Sequence, residues 1–177
     1  MPTKPDEIDL SMDELREIAG YAAECARRAL PIFEREVPGD SRPRDAIDSA
    51  FAFAPGGKRA NALRTSAWAA YRAALDASTP AAVDAAHAAS QAAAAAFLHP
   101  LARAHQVKHV LGSAALVAHA AEIDAGDDLS VGAENVECAR QHALAAVVAV
   151  LCRLPDAPNG GGRVGELIRV LDAALRQ

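Results

Sequence analysis

Apolar residues recur every three or four positions through most of this chain, which is the spacing of amphipathic helices and not of strands. A first helix is predicted after Ser11, because Ser11 and Glu14 have the spacing of a capping box. Pro31 is expected to kink or end this helix. A last helix is predicted after residue 162 from one apolar stripe: Val164, Leu167, Ile168, Leu171, Ala174 and Leu175.

Turn and breaker residues divide the pattern between these two helices. Pro-Gly-Gly at 55–57 ends one helix, Thr79 and Pro80 begin another, and His99-Pro100 interrupts the chain again. The pattern therefore predicts an all-α fold with about seven antiparallel helices. The five helices between the first and the last are expected at about 43–54, 58–77, 80–98, 101–124 and 130–154.

The helices are expected to form a single domain over 11–177. Residues 1–10 are charged and contain proline, so they are expected to form a flexible tail ahead of it. A likeness between residues 66–78 and 114–126, about 48 positions apart, also suggests helix-pair repeats. In a chain so rich in alanine such a likeness also arises by chance, and that alternative stays open.

About a quarter of the chain is alanine, whereas aromatic residues make up only 4%. Alanine is the best helix former and has a small side chain, so the helices are expected to pack at close range. Cys25, Cys138 and Cys152 fall in apolar helical patterns without disulfide or metal spacing, which favours buried, reduced thiols.

The net charge of −5 disfavours non-specific binding to nucleic acid. The N-terminal residues lack the apolar stretch of a secretion signal, and the longest apolar run, 143–152, is about half of what a bilayer span needs. We therefore expect a cytoplasmic protein with no membrane or nucleic-acid partner.

A cluster of polar residues around the predicted break at Pro100 is the first candidate site. His105 and His109 are four positions apart and are expected on one helical face, with His99 and Arg103 nearby. The two histidines are candidates for acid–base catalysis, although no nucleophile or paired carboxylates accompany them. A metal site needs a third ligand that the sequence does not supply, so neither a metal nor another cofactor is predicted.

The second candidate is the glycine–basic turn before the third predicted helix. Lys58, Arg59 and Arg64 lie where free backbone N–H groups favour an anion, but a solvated basic first turn is the favoured interpretation of these residues. Trp68 and Tyr71 follow on successive turns. As the only Trp, Trp68 is expected to anchor the alanine-rich core, with ligand binding as the alternative.

Two segments resemble a known family. Residues 53–64, with Ala-Trp-Ala-Ala-Tyr at 67–71, and the alanine-rich stretch 92–115 are similar to immunity proteins of bacterial polymorphic toxin systems, in the type-five-like group. His105, His109 and Gly112 match that family's histidine-rich segment, and Gly57, Lys58 and Arg59 match its glycine–basic turn. The resemblance implies a helical protein that binds and neutralises a cognate toxin, and it carries no catalytic role.

Three functions remain open from the sequence. The first is an immunity protein whose carboxylates face a basic toxin surface. The second is a small helical enzyme or ligand-binding protein with a pocket lined by Trp68, Tyr71, His105 and His109. No catalytic signature supports the enzyme, so the sequence leans against catalysis. The third is a homo-oligomer held by small alanine-rich helix faces.

Overall fold

The computed structural model describes residues 6–177, which form an all-helical fold as the sequence predicts. No strand occurs among these residues, and the only sheet-like pairing in them is an isolated antiparallel bridge between Glu7 and Leu101. A short 3₁₀ helix, Ala95–Phe97, follows the fourth of eight α-helices. These are α1 (Met12–Glu36), α2 (Arg42–Phe53), α3 (Asn61–Asp76), α4 (Pro80–Ala94), α5 (Gln106–Asp124), α6 (Leu129–His142), α7 (Ala145–Arg153) and α8 (Gly162–Leu175).

Helix α1 begins with the predicted capping box. The Glu14 amide donates to Ser11 Oγ over 3.1 Å, and the Ser11 amide donates to Glu14 Oε2 over 2.9 Å. The helix does not stop at Pro31 but continues to Glu36. Pro31 itself is exposed, and the buried side chains of Leu30 and Phe33 hold the last turn on the core.

Helix α4 lies at the centre of the fold and packs against α1, α3 and α5. Every buried residue of α4 is alanine, so neighbouring backbones can approach closely. Ser113 of α5 shows how near they come, because its hydroxyl oxygen lies 2.9 Å from the Ala22 carbonyl oxygen of α1 and 3.1 Å from that of Ala88. The alanine content thus sets the spacing of the three helices around α4.

The helix predicted over 130–154 is two helices, because the backbone becomes extended at Ala143 and Leu144. Helix α7 then turns to pack on α1, where Arg153 pairs with Glu14. Residues 142–145, His-Ala-Leu-Ala, contain no proline or glycine, so no local signal marked this break. Residues 6–177 therefore form eight α-helices where the pattern predicts about seven.

The three cysteines differ in burial, so the prediction of three buried thiols is correct only for Cys25. Cys138 is half-buried and Cys152 is exposed, since each lies near the rim of a helix face that the core does not cover. Burial raises the pKa of the Cys25 thiol to about 12.

Residues 6–10 pair with the loop before α5. The Ile8 amide donates to the Pro100 carbonyl oxygen over 3.0 Å, and the Ala102 amide donates to that of Asp6 over 2.8 Å. The remainder of the predicted tail, residues 1–5, lies outside the described residues. In the described part of the chain, no helix is both long and apolar enough to cross a bilayer.

The end of α5 meets α6 and α8 at a buried ion pair. Arg163 donates from Nε and Nη2 to the two carboxylate oxygens of Glu122, over 3.0 and 2.5 Å, and Glu122 is only 2% exposed. Gly132 of α6 lies against this carboxylate with no room for a side chain. At the other end of α8, Arg176 pairs with the buried Asp172. We call Glu122, Gly132 and Arg163 the Glu122 corner.

A candidate binding surface on the third helix

Helix α3 has two faces of different character. One face buries Leu63, Ala67, Ala70, Ala73 and Ala74 against the core. Arg64, Trp68, Tyr71 and Leu75 follow at helical spacing on a neighbouring, exposed side. Trp68 is 61% exposed and Leu75 is 65% exposed.

Trp68 therefore does not anchor the core, and that expectation is wrong. Alanines of α3 and α4 fill the seam between the two helices, and their close approach leaves no space there for an indole ring. The ring lies instead at the mouth of a surface groove of about 420 Å³ between α3 and the end of α4. The groove is lined by Arg64, Ala67, Trp68, Tyr71, Ser90, Ala94 and Phe97.

Aromatic rings and guanidinium groups alternate along this groove. Trp68 and Tyr71 meet edge to face at 5.7 Å between ring centroids, and Tyr71 lies 5.3 Å from the ring of His87. At the other end, Arg64 Cζ lies 4.3 Å and Arg59 Cζ 5.7 Å from the centroid of Phe97. We call the surface formed by Arg59, Arg64, Trp68, Tyr71, Leu75 and Phe97 the Trp68 face.

The Trp68 face lies in the basic part of an acidic protein. Residues 58–110 contain six Lys and Arg but only two acids, Asp76 and Asp84. Asp76 pairs with Arg42 of α2, and Asp84 pairs with His119 of α5. Among the described residues, no carboxylate forms an ion pair with the basic side chains along α3 and the turn before it: Lys58, Arg59, Arg64 and Arg72.

The glycine–basic turn packs on the end of α2. A side chain at Gly57 would meet the Ala52 carbonyl oxygen at 2.3 Å, so this close approach requires glycine. Lys58 and Arg59 are exposed beyond it, and α3 begins at Asn61 without a side-chain cap. Arg59 extends to Phe97 and donates to the Ala96 carbonyl oxygen over 3.4 Å, which links the turn to the Trp68 face.

The histidine cluster lies apart from this groove. Helix α5 begins at Gln106, so His99, Arg103 and His105 belong to the loop before it and not to the predicted helix. The rings of His105 and His109 meet edge to face at 6.2 Å. Of the described residues, those that line the groove include neither histidine.

Protonation of His109 is disfavoured by its surroundings. The protein atoms packed around its ring, and then the charges of His105, His99 and Lys108, hold its pKa below the ordinary value. The described residues contain no group of three or more His, Cys, Asp or Glu side chains placed to hold a metal ion.

A family model described as "Imm-5 like putative immunity protein" matches residues 9–147. The chain belongs to this immunity-protein family. No curated protein and no solved structure matches the chain. The match confirms the resemblance that the sequence suggested.

The family match covers α1 to α6 and the first residues of α7. The whole Trp68 face lies inside it. Helix α8 lies beyond it, so the Glu122–Arg163 pair joins the matched part of the chain to the part that follows.

The sequence predicts Arg59, Arg64, Trp68 and Tyr71 as candidate binding residues, and the structure adds Leu75 and Phe97 to the same surface. Leu75 could have been found from its spacing, because it is seven residues after Trp68 on the same helical face. Phe97 reaches the groove from the end of another helix, and no spacing along the chain indicates that contact.

Proposed function

We propose that this protein is a bacterial immunity protein that binds a toxin in the cytoplasm and blocks it through the Trp68 face. Two findings support the proposal: the chain belongs to an immunity-protein family, and its only tryptophan is 61% exposed on a preformed groove. The exposed tryptophan is the observation that carries it.

Trp68 stands beside the other residue types that dominate protein–protein affinity. Trp, Tyr and Arg are the commonest hot-spot residues, and here Arg64, Trp68 and Tyr71 line one groove. An isolated exposed apolar residue is ordinary on a protein surface, but a contiguous patch with aromatic anchors marks an interaction site. Trp68 and Leu75 belong to such a patch.

The groove is held in shape before any partner binds. Its walls are two helices packed through alanine, and Ser90 of α4 donates to the Ala67 carbonyl oxygen of α3 over 2.8 Å. A surface that is already ordered loses little conformational entropy on binding, which favours affinity. Steric blockade by such a surface needs no chemical step.

Co-expression with the toxin encoded beside this gene tests the proposal. Wild-type protein is expected to restore growth of cells that make the toxin, and Trp68→Ala is expected to lose that protection. Leu129→Ala is the matched control, because Leu129 is 60% exposed on α6, outside the Trp68 face. Cell death in the presence of correctly folded wild-type protein would overturn the proposal.

A further inference from the structure

We infer that the Trp68 face receives an acidic toxin segment with an apolar anchor residue. This inference rests on the proposed function and specifies the chemistry of the partner. The net charge alone suggested the opposite, a basic toxin surface facing the carboxylates of this chain. The distribution of charge along the described residues changes that expectation.

The groove accounts for the apolar anchor. Its walls are the rings of Trp68, Tyr71 and Phe97, together with Ala67 and Ala94 at its base. A bulky apolar side chain placed there is desolvated on several sides at once, which is the setting of a hot spot. The Ser90 hydroxyl donates its only hydrogen to the Ala67 carbonyl oxygen, so this hydroxyl offers no donor to a polar anchor in the groove.

Arginines without a carboxylate partner are the reason to expect acidic residues in the toxin segment. Arg64 stacks on Phe97 with its guanidinium carbon 4.3 Å from the ring centroid. Stacking uses the flat face of the guanidinium, whereas its N–H donors lie in the plane and remain able to bind a carboxylate. Arg59 lies over the same ring, and Arg72 is one turn beyond Trp68.

The same surface chemistry also suits single-stranded nucleic acid, which binds basic grooves with stacking rings. The rest of the chain argues against that partner. Residues outside 58–110 hold 12 Lys and Arg against 21 Asp and Glu. A nucleic-acid backbone running past the groove meets this negative field, whereas a short acidic segment ends within the basic part.

Selection from a library of random short peptides displayed on phage tests the inference with the full chain. Peptides enriched on wild-type protein are expected to have a net negative charge around an aromatic or aliphatic residue. They should be lost on Trp68→Ala and kept on Leu129→Ala. Enrichment of basic peptides, or equal enrichment on Trp68→Ala, overturns the inference.

Charge reversal then separates local from general electrostatics. For the most enriched acidic peptide, Arg64→Glu is expected to weaken binding at least about 10-fold, and about 0.5 M NaCl should reduce that difference. Arg28→Glu is the matched control, because Arg28 is an exposed arginine of α1 without a carboxylate partner among the described residues. An equal loss in both variants overturns the inference.

Two further measurements test the competing occupants of the Trp68 face, which are single-stranded nucleic acid and a second copy of this chain. The first readout is binding of a single-stranded oligonucleotide. If the protein binds it more tightly than the acidic peptide, and Trp68→Ala abolishes that binding, the inference is overturned in favour of nucleic acid. The second readout is self-association, measured by light scattering. If the wild-type chain self-associates and Trp68→Ala does not, the inference is overturned in favour of a second copy of this chain. If the selection fails while the co-expressed toxin is still neutralised, the proposed function stands and only the acidic partner is wrong.

Discussion

The Trp68 face and the Glu122 corner use arginine in opposite ways. In the Glu122 corner, Arg163 binds the buried carboxylate of Glu122 and so joins α8 to α5. On the Trp68 face, Arg59 and Arg64 bind no carboxylate among the described residues and stack on Phe97 instead. The arginine of the first region stabilises the fold, whereas those of the second remain available to a partner.

The two regions also differ in how they treat large side chains. The centre of the fold is built from alanine, and the only tryptophan lies outside it. In a protein with so few aromatic residues, three of the rings line one groove: those of Trp68, Tyr71 and Phe97. We therefore expect that stability and binding can be changed separately in this molecule, and four substitutions or conditions test that separation.

The largest effect on stability is expected from Glu122→Ala. Removal of this carboxylate leaves Arg163 at the corner without its principal partner, so the free energy of unfolding should fall by about 3 kcal/mol. Urea denaturation measures it. Replacing both Glu122 and Arg163 by Met should cost less, because no unpaired charge remains. A loss below about 1 kcal/mol in Glu122→Ala contradicts the role given to the corner.

Gly132→Ala tests the same corner from its other side. The added methyl group would lie 1.8 Å from Glu122 Oε1, so the carboxylate must move away from Arg163. We expect a loss of about 2 kcal/mol by chemical denaturation. Ser130→Ala, nearby on α6, is the control. Gly126→Ala is unsuitable because Gly126 has a positive φ of 80°. Unchanged stability in Gly132→Ala would show that the corner adapts without cost.

A much smaller effect on stability is expected from Trp68→Ala. The ring is mostly exposed, so the free energy of unfolding should change by less than about 1 kcal/mol while binding is lost. Thermal melts of Trp68→Ala and Leu129→Ala measured side by side check it. If Trp68→Ala melts as far below wild type as Glu122→Ala does, the two regions are not separable.

The smallest effect is a pH dependence that originates behind the Trp68 face. Burial lowers the pKa of His87, while Asp84 acts in the opposite direction. In the unfolded chain His87 has the ordinary histidine pKa of 6.5, so the unfolded chain binds a proton at His87 more readily than the folded chain does. The stability that the neutral His87 ring contributes is fully present above pH 6.5, and it is lost as the pH falls through the lowered pKa of the folded chain.

The melting temperature is accordingly expected to decrease between pH 8 and pH 5.5, and His87→Gln should make that decrease smaller. Binding at the groove need not follow the same curve. A pH dependence that is identical in the variant would show that His87 does not contribute to it.

The all-helical fold could be predicted because its signals are local. The Ser11–Glu14 capping box, Thr79 before Pro80 and the apolar stripe of α8 each lie within a few residues along the chain. The break between α6 and α7 could not be predicted, because the packing of α7 on α1 causes it and no residue at 142–145 indicates it.

The candidate surface could be predicted only in part. Its residues Arg59, Arg64, Trp68 and Tyr71 were recognisable by type, but alanine occurs on both sides of α3 and hides which face is buried. The ion pairs that leave this surface basic join distant positions, such as Arg42 with Asp76 and Asp84 with His119. Such pairs depend on the tertiary fold and leave no pattern in the sequence.

The affinity of the purified chain for its toxin, measured by calorimetry for wild type, Trp68→Ala and Leu129→Ala, tests the central claim most directly. Trp68→Ala is expected to bind at least about 30-fold more weakly, which corresponds to a hot-spot loss of about 2 kcal/mol. Its free energy of unfolding is expected to stay within about 1 kcal/mol of wild type. Leu129→Ala is expected to bind as wild type does. Equal affinity of Trp68→Ala and wild type would contradict the claim that the Trp68 face is where the toxin binds.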